Sequence, residues 1–160
     1  MKIHNGAIFH ATWSYFQRLD DIQYKFLAEI GITEEDVFVE YNFAPPTLRR
    51  DIDILGLLHK RVFRKTHPVI QQFRPFHVDV FGSLRSREYN RQLYGHILDV
   101  QRQHSLHDRS IFGMVENYNK LPQEIVDCSN AKVFQKEMIL IARIRCNDGD
   151  ASWKRSFDHR

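Results

Sequence analysis

Two pairs of carboxylates are the first side chains in this sequence that could carry chemistry, because converging carboxylates can hold divalent ions for phosphoryl transfer. Asp20 and Asp21 are adjacent in a helical pattern and point about 100° apart. Asp51 and Asp53 are two positions apart on another predicted helix and also diverge. The spacing favours solvated helix surface or first-turn dipole partners over a metal site. A small hydrolase or nuclease would need Asp20, Asp51 or Asp79 to meet around one cation.

The histidines and cysteines do not show the spacing of a metal or nucleophile site either. Among nine histidines, only His104 and His107 are close enough to share a helical face, and no further ligands lie nearby. Cys128 and Cys146 have no CxxC spacing, which is typical of reduced intracellular thiols. No phosphate-binding glycine loop or nucleophile motif occurs. The sequence therefore predicts no catalytic residue, no metal, no cofactor and no small-molecule substrate.

Length and composition favour one ordinary intracellular domain. The chain has 160 residues, 42% of them apolar and 27% charged. No apolar run reaches about 18 residues, and the first residues lack the layout of a signal peptide, so we expect no membrane partner. The pattern does not distinguish nucleus from cytoplasm. Charge is uneven: residues 1–46 carry three basic and seven acidic side chains, whereas residues 47–74 carry seven basic and two acidic ones.

Apolar periodicity predicts a mainly α-helical fold, an irregular helical bundle in residues 1–146. Helices are expected over 12–30, over 34–41, from Thr47 through Val62, and from Ala131 through Ile144 with Ser129 or Asn130 as the cap. Extended linker segments are expected around 66–87, and 85–104 is either a helix or a linker. Residues 147–160 have little to bury, which predicts a flexible tail.

An arginine doublet opens the helix that follows Pro45 and Pro46. Arg49 and Arg50 lie at the positive end of the helix dipole, which disfavours cations by about 0.3–1 kcal/mol each. Either nearby acids such as Asp51 compensate for them, or the arginines have a partner elsewhere. That partner could be a carboxylate of this chain, for example in the acidic 29–40 segment, or a phosphate, since a guanidinium binds both.

Four short motifs occur in a recognisable order. They are Leu19-Asp20 with Gln23, then Arg49-Arg50-Asp51-Ile52, then Tyr118-Asn119-Lys120-Leu121-Pro122, then Phe134-Gln135. The ordered set resembles the region downstream of the polymerase core in reverse transcriptases of non-LTR (LINE-type) retrotransposons, and the likeness covers roughly residues 7–145. The catalytic aromatic-x-Asp-Asp motif of that family has no match, because Arg18 stands where the aromatic residue would precede Asp20-Asp21.

The resemblance implies a non-catalytic fragment that contacts RNA or DNA backbone, with the polymerase portion of the parent protein as a further partner. By that likeness the contacts come from the basic helix at 47–65, through Arg49, Arg50, Lys60, Arg61, Arg64 and Lys65. Phe63, Phe73 and Phe76 are candidates for stacking on single-stranded bases, or for the core. The alternative is a structural or protein-interaction helical module whose arginines pair internally. Charge reversal at Arg49 or Arg50 would then unfold it.

Overall fold

The computed structural model describes residues 13–63, 111 and 113–157. These residues form six α-helices, which we number in chain order, and one 3-10 turn. The helices are α1 (Trp13–Glu29), α2 (Glu34–Tyr41), α3 (Pro46–Val62), α4 (Val115–Asn119), α5 (Gln123–Val126) and α6 (Ala131–Asn147), followed by the turn at Trp153–Arg155. The predicted mainly helical fold is confirmed for this part of the chain. The predictions for 66–87 and 85–104 lie outside it.

Local signals in the sequence explain where these helices begin and end. Thr33 caps α2 by accepting a hydrogen bond from the Asp36 amide at 3.0 Å. Asn42 ends α2 in the left-handed conformation, with φ at 56°. Asn130, rather than Ser129, caps α6, because its side chain accepts from the Lys132 amide at 2.9 Å. Both ends of α2 and the start of α6 therefore follow from caps that the chain supplies within a few residues.

The core forms where α3 crosses α6. Leu48, Ile52, Leu55 and Leu58 of α3 are buried, and so are Phe134, Met138 and Ala142 of α6. The two helices approach closely at Gly56, where an added Cβ would lie 2.7 Å from the Gln135 Nε2. Because α3 contributes buried residues along its whole length, its polar side chains are held in fixed positions relative to the rest of the molecule.

The C-terminal segment differs from the predicted flexible tail. Trp153 and Phe157 are only 3% and 4% exposed, and the Trp153 ring stacks on Phe38 of α2 at 4.8 Å between centroids. Arg145 of α6 forms an ion pair with Asp150, and the Asn117 amide donates to the Phe157 carbonyl at 2.7 Å. Two aromatic side chains are enough to fix a short segment, because each buries about 150–250 Å². The segment 148–157 is thus part of the packed structure.

Candidate functional site

The six basic residues singled out by the sequence do not form one positive surface in the described structure. Arg49 and Lys60 are exposed, Arg61 is half-buried, and Arg50 is only 5% exposed. Arg64 and Lys65 lie outside the described residues. On α3, Arg49 and Lys60 are three turns apart on the same side, about 16 Å along the axis. That side of α3 therefore offers two separated cations rather than a dense basic stripe.

Arg50 is paired inside the protein. Its Nε and Nη2 atoms donate to the same oxygen of Asp51, Oδ1, at 2.9 and 2.6 Å. Its guanidinium carbon also lies 4.5 Å from the centre of the Phe16 ring on α1. The compensating acid is thus the neighbouring Asp51, which is fully buried, and not a residue of the acidic 29–40 segment. Arg50 is unavailable to a phosphate while this arrangement holds.

Arg49 remains on the surface but has several neighbours of its own. Its guanidinium lies 5.4 Å from the centre of the Phe43 ring, and its Nη2 donates to Gln23 Oε1 at 3.4 Å. Partial desolvation lowers the pKa of Arg49, and the nearby carboxylates of Asp20 and Asp53 oppose that shift. Arg49 could contact a phosphate, but acids on both α1 and α3 weaken the positive field around it.

The carboxylates considered for metal binding are engaged separately. Asp20 Oδ1 accepts from the Thr47 amide at 3.1 Å, and Asp20 Oδ2 accepts from the Thr47 hydroxyl. Because Pro45 gives α3 no side-chain cap, Asp20 of α1 serves as its N-terminal cap across the helix interface. Asp53 accepts from Gln135 at 3.2 Å. The expectation of solvated surface is therefore wrong for Asp20, which is half-buried, and for buried Asp51.

Burial affects how Asp20 titrates. Desolvation raises the pKa of this carboxyl group above its ordinary value of 3.8, and the two hydrogen bonds from Thr47 lower it in part. Thr47 itself is 1% exposed, so its donors depend on Asp20 rather than on water. Asp20 thus acts as a hydrogen-bond acceptor at the start of α3, which is a structural role.

Sequence reasoning passed over His59 as one of nine histidines. His59 is fully buried, and its ring stacks on Phe134 at 4.0 Å between centroids. Its Nε2 lies 2.5 Å from the Cys128 carbonyl, which can only accept, so Nε2 carries a proton. In the neutral ring Nδ1 then accepts from the Tyr118 hydroxyl at 3.0 Å. The sequence does contain a signal for the burial of His59, because this residue lies four positions after Leu55 and three before Val62, on the apolar side of α3.

Side-chain clusters that could bind a metal and membrane-spanning helices are two features to consider in the described ranges. Those residues contain no group of three or more His, Cys, Asp or Glu side chains that could hold a metal ion. They also contain no helix long and apolar enough to cross a membrane. Comparisons of the chain with protein-family models, curated proteins and solved structures gave no match. A candidate function therefore has to be argued from the chain's own residues.

Besides the basic residues of α3, the described surface carries a row of exposed apolar side chains along α1 and at Ile30 just after it. Ile22, Phe26 and Ile30 are 63%, 56% and 52% exposed, and Tyr15 is 50% exposed. Leu19, between them on the same side, is half-buried. The sequence pattern assigned Leu19, Ile22, Phe26 and Ile30 to one amphipathic helix together with Phe16. Among the apolar side chains of α1 that the structure describes, only Phe16 and Leu27 are fully buried, at 2% exposure each. We refer to Tyr15, Leu19, Ile22, Phe26 and Ile30 as the α1 stripe.

Proposed function

We propose that this chain is a non-catalytic helical module that acts through protein contacts, and that its arginine doublet serves the fold at Arg50. The observation that carries this proposal is the buried contact in which two donors of Arg50 share one carboxylate oxygen of Asp51. A cation that is buried and paired with its own neighbour contributes to one packed arrangement, and at 5% exposure the Arg50 side chain is not accessible to a ligand from solvent. The exposed α1 stripe supplies the type of surface that protein contacts use.

The charge of the described helices is only one part of the chain's charge, because the remaining residues carry ten Lys and Arg and five Asp and Glu side chains. Residues 13–63, 111 and 113–157 carry thirteen Lys and Arg side chains and fifteen Asp and Glu side chains, whereas the whole chain has a net charge of +3. Nucleic-acid surfaces need an excess of positive charge, because neutralising phosphates supplies most of the non-specific affinity. The helices described here do not carry such an excess.

Charge reversal at two adjacent positions tests the proposal. We expect Arg50→Glu to abolish cooperative folding, because it places a second buried carboxylate beside Asp51. The matched control is Arg49→Glu, which changes an exposed neighbour by the same chemistry and is expected to cost less than about 1 kcal/mol. Circular dichroism during urea unfolding measures both. If the two variants unfold at the same urea concentration as the wild type, Arg50 does not serve the fold and the proposal fails.

We also propose, as a second candidate, that the chain contacts RNA or DNA backbone as a fragment resembling the downstream region of a LINE-type reverse transcriptase. Its support is the exposure of Arg49 and Lys60 on one side of α3, in a stretch that continues in sequence to Arg64 and Lys65. In the parent proteins, helices after the palm help to hold template, primer or element RNA. On this proposal the polymerase portion of the parent protein is a further partner.

A salt titration with labelled single-stranded RNA and with duplex DNA tests the second candidate. Between about 50 and 200 mM salt, log K should fall linearly with log salt, and Arg49→Gln with Lys60→Gln should reduce the slope by about 1.4–1.8. Lys136→Gln, an exposed position on α6, is the matched control and should leave the slope unchanged. No binding at the lowest salt, or a slope near zero, removes this candidate.

A further inference from the structure

We infer that His59 acts as an acid-sensitive latch, which holds residues 118–128 against α3 while its ring is neutral and releases them once the ring gains a proton. The side chain of His59, on α3, is fully buried. Its two ring nitrogens contact opposite ends of one segment. Nδ1 lies 3.0 Å from the Tyr118 hydroxyl at the start of this segment, and Nε2 contacts the Cys128 carbonyl at its end. We call residues 118–128 the latched segment.

Both ring nitrogens of His59 are occupied by uncharged partners. The carbonyl of Cys128 can only accept, so the neutral ring carries its proton on Nε2 and accepts from Tyr118 on Nδ1. A second proton on Nδ1 requires the Tyr118 hydroxyl to turn from donor to acceptor. It also places a positive charge at a site with 0% exposure and uncharged oxygens at both nitrogens. Burial disfavours the charged form of histidine, so the closed arrangement selects the neutral ring.

The charged groups of the neighbouring described elements do little to stabilise a charged ring. On α3, the next two residues are Lys60 and Arg61, which are themselves cations. The acids on α4 and around α5 are all exposed, where water and salt screen their charge: Glu116, Glu124 and Asp127. Cys128 contacts the ring through its backbone, and its thiol donates to the Glu124 carbonyl. The contribution of α6 is the uncharged ring of Phe134, stacked on His59 at 4.0 Å.

The latched segment depends more on such contacts than the helices around it. It contains part of α4, which has five residues, and all of α5, which has four. Isolated helices shorter than about 12–15 residues are marginal in water, so these two depend on the rest of the protein. In contrast, α3 and α6 have 17 residues each and pack directly on one another. A charge at His59 therefore opens the latched segment before it separates α3 from α6.

The direction of the pH response follows from the protonation states of the two arrangements. The closed arrangement keeps the ring neutral, whereas a released, solvent-exposed histidine has an ordinary pKa of about 6.5. Opening therefore takes up one proton below that pH, and the closed arrangement loses stability as the pH falls. For one proton the opening equilibrium constant approaches a tenfold rise per pH unit, which gives about a 30-fold rise from pH 7.5 to pH 5.0.

Hydrogen exchange of the full chain, followed by mass spectrometry from about pH 7.5 to about pH 5.0, tests the inference. After correction for the intrinsic pH dependence of exchange, amides of the latched segment should open about 30-fold more at the lower pH, while those of α6 keep their protection. The matched variant His59→Gln keeps a donor and an acceptor but does not titrate in this range, so its latched segment should show no such increase. An equal increase in both proteins overturns the inference, and so does wild-type protection that is independent of pH.

Nitrogen-15 NMR of the His59 ring in the wild type is a second measurement, which does not require a variant to fold. The ring should stay neutral, with its proton on Nε2, at every pH at which the latched segment is protected, and should become charged only as that segment opens. A charged ring within a protected segment would show that the fold accepts the proton, and the latch would be wrong. Equal loss of protection in α6 and in the latched segment would also contradict it, since acid would then unfold all the helices together.

Discussion

Removing one partner of the Arg50–Asp51 pair should destabilise the chain far more than removing both. The two charges are about 3 Å apart, and their side chains are 5% and 1% exposed. At an effective dielectric constant near 20 their attraction is on the order of 5–6 kcal/mol, which roughly offsets a desolvation cost of several kcal/mol per ion. The intact pair is thus nearly neutral for stability. Asp51→Leu removes the carboxylate partner of a buried guanidinium, and Arg50→Met removes the guanidinium partner of a buried carboxylate, so each should cost about 3–5 kcal/mol.

A double-mutant cycle measured by urea unfolding gives the decisive number. The double variant Arg50→Met with Asp51→Leu keeps similar side-chain volumes and should lie within about 2 kcal/mol of the wild type. With single-variant costs of at least about 3 kcal/mol each, the coupling energy should be about 4 kcal/mol or more. The exposed pair of Glu116 and Lys120 on and beside α4 is the matched control, and its coupling should be about 0.3–0.5 kcal/mol. If the Arg50–Asp51 coupling is as small as that of the exposed pair, water reaches the buried site and the reasoning is refuted.

Three further changes test the contacts that hold the remaining elements. Asp20→Ala should lower the free energy of unfolding by about 1–3 kcal/mol, because it removes the cap of α3, whereas Asp20→Asn keeps an acceptor and should cost less than about 1 kcal/mol. Desolvation raises the pKa of Asp20 in the folded protein, so the folded state binds this proton more tightly than the unfolded state does. The free energy of unfolding should therefore fall as the pH rises from 3.8 through the raised pKa. Asp20→Asn should remove this part of the pH dependence of stability. Trp153→Ala should lower the free energy of unfolding by about 3–5 kcal/mol in urea, because it removes the ring stacked on Phe38. A loss below about 1 kcal/mol would instead support the predicted flexible tail. Hydrogen bonds from Ser152, and to a smaller extent from Arg145, lower the pKa of Asp150 to about 2. An NMR titration should show that pKa in the wild type and a higher one in Ser152→Ala. Equal pKa values in the two proteins would contradict the role of Ser152.

Helices α1, α2, α3 and α6 were predictable because their signals lie close together in sequence, whereas the short helices α4 and α5 were not predicted. The prediction for 34–41 matches α2 at both ends, since Thr33 and Asn42 cap it locally. The prolines at 45 and 46 fix the start of α3, because a proline ring suits the first helical turn and no later one. Asn130 starts α6 by the same kind of local hydrogen bond.

The same signals did not predict which side of each helix packs against the core. Periodicity placed Phe16 and Ile22 alike on the apolar side of α1, yet Phe16 is 2% and Ile22 is 63% exposed. Which of two neighbouring apolar stripes meets α3 depends on contacts between distant residues, such as Asp20 with Thr47. The buried role of His59 depends likewise on Tyr118, 59 positions away.

The unusual arginine doublet and the exposed α1 stripe are connected through one helix interface. A cation-rich first turn leaves the start of α3 in need of negative charge, and Pro45 supplies no side-chain acceptor there. Asp51 neutralises Arg50, and Asp20 reaches across from α1 to accept the bonds of Thr47. The side of α1 that meets α3 must therefore be the one that carries Asp20. Since Ile22 and Phe26 are rotated away from Asp20 on the same helix, satisfying the start of α3 leaves the more apolar side of α1 for another contact.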